Sequence, residues 1–266
     1  MEQQQYWQPA MQPQGTPVRR VVQPQIEPLP FQAREAINVL RGNIQLSGYD
    51  LKTIAITSAV AHEGKSSIAF RLAKSMAALG KKTLYLDCDI RNSMTMSYYN
   101  IQIKTVGLTE YLCGRESMAN IVYKTDDQWM DMIFTGASAP SPSELISGPL
   151  FEQLIKWTRE NYDYVIVDTP PVNAVIDGAL IAKRCDGSIL VIESGLTERK
   201  QAIQAKRQLE YAGIRILGTV LNKIGTKKSG YGYGYGYGYG YGYGYGYGED
   251  RKSKKNAGTK KKKKAK

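Results

Sequence analysis

From Phe31 the chain becomes periodic: Ala36, Ile37, Leu40 and Ile44 recur at helical spacing, and Gly48 supplies a stop before an apolar run over 52–57 that reads as a strand. Further strands are predicted at 83–88, 131–134, 164–167, 188–192 and 214–221, each short and nearly continuous in apolar residues. Helical stretches separate them, the clearest running from Ser66 to Leu79, where Ile68, Leu72, Met76 and Leu79 form a stripe that Gly80 ends. This alternation predicts a doubly wound α/β domain with a mostly parallel sheet, because each crossover lays a helix on one face or the other. Such sheets bind ligands at the carboxyl ends of their strands, so the residues just after each strand are where chemistry is expected.

The pattern stops at both ends. Residues 1–30 are rich in Gln and Pro with few large aliphatics, so they cannot bury enough surface to offset ordering, and a disordered arm is expected. The folded domain is read as 31–225, and 226–266 as a flexible tail. Within that tail Tyr231, Tyr233, Tyr235, Tyr237, Tyr239, Tyr241, Tyr243, Tyr245 and Tyr247 alternate with glycine before a lysine-rich end. The formal charge of +12 belongs mainly to this tail, which holds twelve Lys/Arg against Glu249 and Asp250. The body is left near neutral, with no general attraction for polyanions, so a nucleic-acid partner is not expected and contact with anionic lipid falls to the lysine-rich end. Cys88, Cys113 and Cys185 are odd in number and widely spaced, which suggests neither a disulfide framework nor a zinc cage and reads as a reducing compartment. No apolar run approaches the roughly eighteen residues that cross a bilayer, and the amino terminus lacks a signal-peptide core. The expected location is cytoplasmic, with any membrane association peripheral or through a partner.

Three strand ends carry the candidate chemistry. After the first strand comes Ala59-Val60-Ala61-His62-Glu63-Gly64-Lys65-Ser66-Ser67, a P-loop pattern with alanine at the first glycine position. In such a loop, backbone N–H groups turn inward around phosphate oxygens and the following helix adds its positive end. Lys65 is expected to reach the β- and γ-phosphates of ATP, and the Ser66 hydroxyl to meet Mg²⁺. The second segment, Leu86-Asp87-Cys88-Asp89-Ile90-Arg91, brings two carboxylates from a strand end to one side. Carboxylates so placed can hold magnesium or take the proton of an attacking hydroxyl. The third, Val165-Ile166-Val167-Asp168-Thr169-Pro170-Pro171, ends an apolar strand in an aspartate suited to orienting metal-bound water.

Taken together, these motifs resemble those of the bacterial tyrosine kinases that regulate capsule and exopolysaccharide synthesis, and the likeness runs from about Phe31 to Ile224 and on to a Tyr-rich tail. It includes Pro140-Ser141-Pro142-Ser143-Glu144-Leu145 and Val220-Leu221-Asn222-Lys223. The resemblance implies a P-loop NTPase-type kinase in which Val60 to Ser67 and Asn222 bind ATP, while Ser66, Asp89 and Asp168 bind Mg²⁺ directly or through water. It further implies Lys65 and Asp87 as catalytic residues, with Asp87 accepting or orienting the tyrosine proton. The family joins subunits into rings through a Glu-x-x-Arg-x-x-Arg helix. Here the pattern is Glu35-x-x-Asn38-x-x-Arg41, leaving Glu35 and Arg41 as the candidate interface residues of a homo-oligomer. A separate transmembrane activator and protein substrates in polysaccharide synthesis complete the implied partners.

The Tyr-Gly repeat then reads as the kinase's own substrate, presented on a tail long enough to reach a neighbouring subunit. A positioning or partitioning ATPase of the same fold is one rival, but Val60 stands where those proteins usually place an extra lysine. A non-catalytic scaffold binding membrane or nucleic acid through its lysines is another, and Lys65, Asp87, Asp89 and Asp168 argue against it.

Overall fold

The computed structural model describes residues 20–48, 50–103 and 105–225; the tail with its tyrosine run lies outside them. In chain order the elements are β1 (Val21–Val22), α1 (Phe31–Leu46), β2 (Thr53–Ser58), α2 (Lys65–Ala77), β3 (Thr83–Asp87), α3 (Thr95–Tyr98), α4 (Leu108–Leu112), α5 (Met118–Ile121), β4 (Tyr123–Thr125) and β5 (Met130–Ile133). They continue with α6 (Pro142–Ser147), α7 (Pro149–Asn161), β6 (Tyr164–Asp168), α8 (Asp177–Ala182), β7 (Gly187–Glu193), α9 (Arg199–Tyr211) and β8 (Ile216–Asn222). The eight strands form one sheet in the order β1-β4-β5-β3-β6-β2-β7-β8. All pairings are parallel except β4 with β5, as expected of a doubly wound domain.

Alternation along the strands splits the core between the two faces. Ile54 and Ile56 of β2, Tyr85 of β3 and Ile166 of β6 pack with Ile37 and Ile44 of α1 and with Phe70, Leu72 and Met76 of α2. Leu84, Leu86, Val165 and Val167 point the other way, onto Phe151, Leu154 and Ile155 of α7. A third cluster seats Ala179 and Ala182 of α8 and Ala205 and Leu209 of α9 against Ala55 and Leu190. Alanines at the contact let these two helices sit close to the sheet.

Several sequence expectations move. The arm read as disordered to residue 30 is ordered from Arg20: β1 pairs with β4, Val22 is buried, and the Glu27 carbonyl accepts two Arg71 N–H groups at 3.2 Å each. Ala36 is exposed, so the inward face of α1 is Ile37, Leu40 and Ile44. Helix α2 ends at Ala77, leaving Leu79 half-exposed in a turn closed by Gly80 at φ 71°. No helix among the described residues is long and apolar enough to cross a membrane.

The start of β2 is fixed by Asp186, the residue before β7. One carboxylate oxygen accepts the N–H groups of Thr53 (2.7 Å) and Lys52 (2.9 Å) and the Thr53 hydroxyl (2.8 Å), and the other meets Arg159 of α7 at 2.7 Å. Burial alone pushes this carboxyl up, but the Thr53 and Lys52 donors and Arg159 outweigh it and hold it below the usual carboxylate range. A depressed native value means that the stabilisation is present above the ordinary carboxylate range and is lost as pH falls through the native value. Asp186→Ala is therefore expected to cost about 2–4 kcal/mol near neutral pH. Denaturant titrations of variant and wild type should converge as pH falls below about 4; a gap independent of pH would contradict the assignment.

Candidate active site

The parallel order places β3, β6 and β2 side by side, so their carboxyl ends converge on one rim. Asp87 and Asp168 are register partners across β3 and β6, and Ile56 partners Asp168 across β2 and β6. The loop between Ser58 and α2 thereby meets both acidic segments. Its backbone is left-handed at His62 (φ 67°) and at Gly64 (φ 92°), a turn sequence that gathers N–H groups ahead of the α2 amino terminus. The left-handed conformation calls for glycine at 64, and a Cβ there would push against the Asn222 amide nitrogen.

Lys65, the first residue of α2, is buried, and its ammonium meets Asp89 at 2.8 Å and Asp168 at 3.3 Å, with the Ser66 hydroxyl at 3.2 Å. Burial works against its charge, yet the Asp168 and Asp89 carboxylates raise its pKa and keep it protonated. The Asp168 carboxyl is pushed up by burial despite Lys65, and its other oxygen accepts the Tyr85 hydroxyl at 3.2 Å. Asp87 is fully buried, accepting the Ser93 hydroxyl at 2.5 Å and the Asp89 N–H at 3.1 Å. Burial, then the neighbouring Asp168, raise its carboxyl to about 7.

Lys65, Ser66 and Asp89 border a cleft of about 390 Å³, a small-molecule scale, lined also by Ala61, His62, Gly64, Ser67 and Arg91 among others, while Asp87 and Asp168 stand behind that lining. The oxygen donors Ser66, Asp89 and Asp168 suit a hard cation such as Mg²⁺. Among the described residues no three or more His, Cys, Asp or Glu side chains form a metal cage. A magnesium ion here fits only as one completed by phosphate oxygens and water, which is its usual mode of binding.

Residues 51–195 match a family model described as an AAA domain. Tyrosine-protein kinase CpsD of Streptococcus agalactiae serotype III (strain NEM316) is 38% identical over 197 residues, covering 74% of this chain and 85% of that protein. Tyrosine-protein kinase YwqD of Bacillus subtilis (strain 168) is 37% identical over 210 residues, covering 78% and 88%. Among solved structures, the kinase domain of Escherichia coli tyrosine kinase ETK superposes with a TM-score of 0.70 at 31% identity, over 79% of this chain and 87% of that one. The chain belongs to the bacterial tyrosine-protein kinases. The cell division ATPase MinD of Pyrococcus furiosus, with a TM-score of 0.58 at 21% identity over 66% of this chain and 74% of that one, shares the fold.

The kinase brings Lys65, Ser66, Asp87, Asp89 and Asp168 together as the motifs imply, with Asp87 set behind the cleft lining. Asn222 does something the motif did not suggest: its amide donates to the Glu63 carbonyl at 2.9 Å and so braces the phosphate loop. Glu63 points away from the cleft and is fully buried, accepting the Val60 N–H at 2.8 Å, the Glu193 N–H at 3.3 Å and the Thr197 hydroxyl. Lys223 adds a third brace, donating to the His62 carbonyl and to Glu193 at 2.7 Å each. Sequence reasoning missed Thr197 and Glu193 altogether, because no local motif marks them. Arg91 makes a 2.5 Å ion pair with the buried Asp177 and donates to Ser143 of α6 at 3.1 Å. On α1, Glu35 is exposed and accepts from Asn38 at 3.0 Å, whereas Arg41 is engaged by the Ser75 hydroxyl and carbonyl of α2 at 2.7 and 3.0 Å.

Gly64→Ala forces a left-handed alanine and displaces Asn222 from Glu63. ATP affinity measured by calorimetry should fall by about tenfold or more; unchanged affinity would show that the brace is dispensable.

Proposed function

We propose that this kinase transfers the γ-phosphoryl group of ATP to the tyrosines of its own Tyr231–Tyr247 run, chiefly between copies of the chain, and thereby regulates capsule or exopolysaccharide synthesis. The observation that carries this reading is the Lys65 ammonium fixed between Asp89 and Asp168, beside Asp87, at the mouth of a braced phosphate loop, in a chain that also carries nine tyrosines in one repeat. The named relatives support the acceptor type; the motif resemblance extends the reading to a cytoplasmic enzyme at the inner face of the membrane, working with a separate transmembrane activator and phosphorylating further proteins of polysaccharide synthesis. Glu35, Arg41 and their face of α1 are the surface proposed for association between copies.

The loop N–H groups from Val60 to Ser67 cradle the phosphates, and Lys65 swings from its carboxylates to the β- and γ-oxygens. Ser66, Asp89 and Asp168 would hold magnesium, which would supply charge neutralisation to the phosphates. The tyrosine oxygen bonds to the γ-phosphorus as the bond from that phosphorus to the β–γ bridging oxygen breaks, ADP departs, and the phenol proton passes to a carboxylate. Asp87 is assigned that proton, since burial and the neighbouring Asp168 raise its carboxyl and exchange of the Ser93 hydroxyl frees one of its oxygens.

Full-length Lys65→Met chains mixed with active chains lacking 226–266 should acquire tail phosphotyrosine under Mg-ATP, read by mass spectrometry in the presence of the activator. Absence of phosphotyrosine from wild-type protein under the same conditions would overturn the reading. In Asp87→Asn, kcat should fall by about 10² or more with ATP affinity within a few-fold of wild type; an equal loss of both would assign Asp87 to binding.

A further inference from the structure

The cleft around Lys65 has more to it than phosphate-binding atoms. Two segments, leaving the adjacent strands β3 and β6, bring apolar and aromatic side chains to it: Met94 and Tyr98 from one, Pro171, Ala174 and Val175 from the other. Nothing in phosphate chemistry asks for them. Met94 is 50% exposed and Tyr98 is 73% exposed, so both present apolar surface at the edge of a charged site. Tyr98 is also held from behind. Its ring lies 6.1 Å from that of buried Tyr99, which stacks on Phe70 of α2 at 4.0 Å, and Phe70 meets Tyr85 edge-on at 5.4 Å. An exposed ring anchored to the core through successive aromatic contacts loses little freedom when another ring packs on it.

We propose that Met94, Tyr98, Pro171, Ala174 and Val175 form the acceptor subsite, a ledge that grips the phenol ring of a glycine-flanked tyrosine and presents its oxygen to the Lys65–Asp89 end of the cleft. The occupant is the Tyr-Gly run of a second copy, so the inference rests on the autokinase reading and specifies its substrate recognition. The run suits the ledge in two ways. It carries no charged side chain between Gly230 and Gly248, matching the apolar side chains of the ledge. Glycine on either side of each tyrosine also lets the peptide backbone approach a rim already occupied by the exposed Met94 and Tyr98 side chains. Every tyrosine in the repeat presents the same local surroundings, so the ledge accepts any of them in any register.

Steady-state kinetics of the full chain with its activator, using a Gly-Tyr-Gly-Tyr-Gly peptide and a matched peptide with valine in place of glycine, tests this directly. The valine peptide should show a KM about tenfold higher or more with wild-type enzyme. With the glycine peptide, Tyr98→Ser and the double variant Met94→Ser/Tyr98→Ser should raise peptide KM by about tenfold while KM for ATP moves less than twofold. The valine comparison needs no altered enzyme, so it stands even where a variant fails to fold. Equal KM for the two peptides, or KM for peptide and ATP rising together in the variants, would overturn the ledge. Failure of wild-type enzyme to phosphorylate either peptide or its own tail would instead strike the autokinase reading beneath it.

Discussion

Three carboxylates at the ends of two neighbouring strands, shielded from water, are tolerable only because an ammonium lies among them. Asp87, Asp89 and Asp168 have been drawn into one small volume by the parallel pairing of β3 with β6, and Lys65 supplies the opposing charge. Burial raises Asp87 and Asp168, helped by Asp168 for the first and by Asp89 for the second, while the same acids hold Lys65 protonated. The arrangement is stable as a set and unstable in parts, because removing the cation leaves buried negative charge with too few partners. A triphosphate bound with magnesium, as proposed above, would change the balance on both sides at once, offering Lys65 other anions and the acids another cation.

That exchange demands a phosphate loop that keeps its shape while its lysine moves. Glu63 provides this from the inside. Its carboxylate satisfies the loop's own Val60 N–H and, beyond the loop, the Glu193 N–H and the Thr197 hydroxyl after β7. Asn222 and Lys223 at the end of β8 hold the Glu63 and His62 carbonyls from the other side. The left-handed residues His62 and Gly64 are thus over-determined by contacts from two further strands, which is the condition under which such backbone conformations persist.

Much of this was readable in the chain because the informative patterns are local. A strand, a turn rich in N–H groups and a helix follow one another within residues 53–77, and the acidic residues sit at the ends of apolar runs. What was not readable depends on partners distant in sequence. Glu63 looks like a loop residue until Thr197 and Glu193 are brought to it by sheet order. Arg41 fits an intersubunit motif by spacing, yet Ser75 of α2 already engages it within the chain. Ala36 and Leu79 obey helical periodicity and still face outward, because which side of a helix is buried is decided by what packs on it.

The short β1 strand escaped notice for the same reason, since two valines carry no periodicity and their pairing with β4 lies a hundred residues away. Its position has a practical meaning. β4 is joined on its other side only to β5, so the Arg20–Val22 segment caps what is otherwise a naked row of backbone donors and acceptors. Trimming the chain at residue 30, where composition alone draws the domain boundary, uncovers that row together with the apolar surface beneath Val22 and strips Arg71 of the Glu27 carbonyl. Such a shortened protein would carry an adhesive margin that the intact chain conceals, and copies of it would be prone to join sheet to sheet.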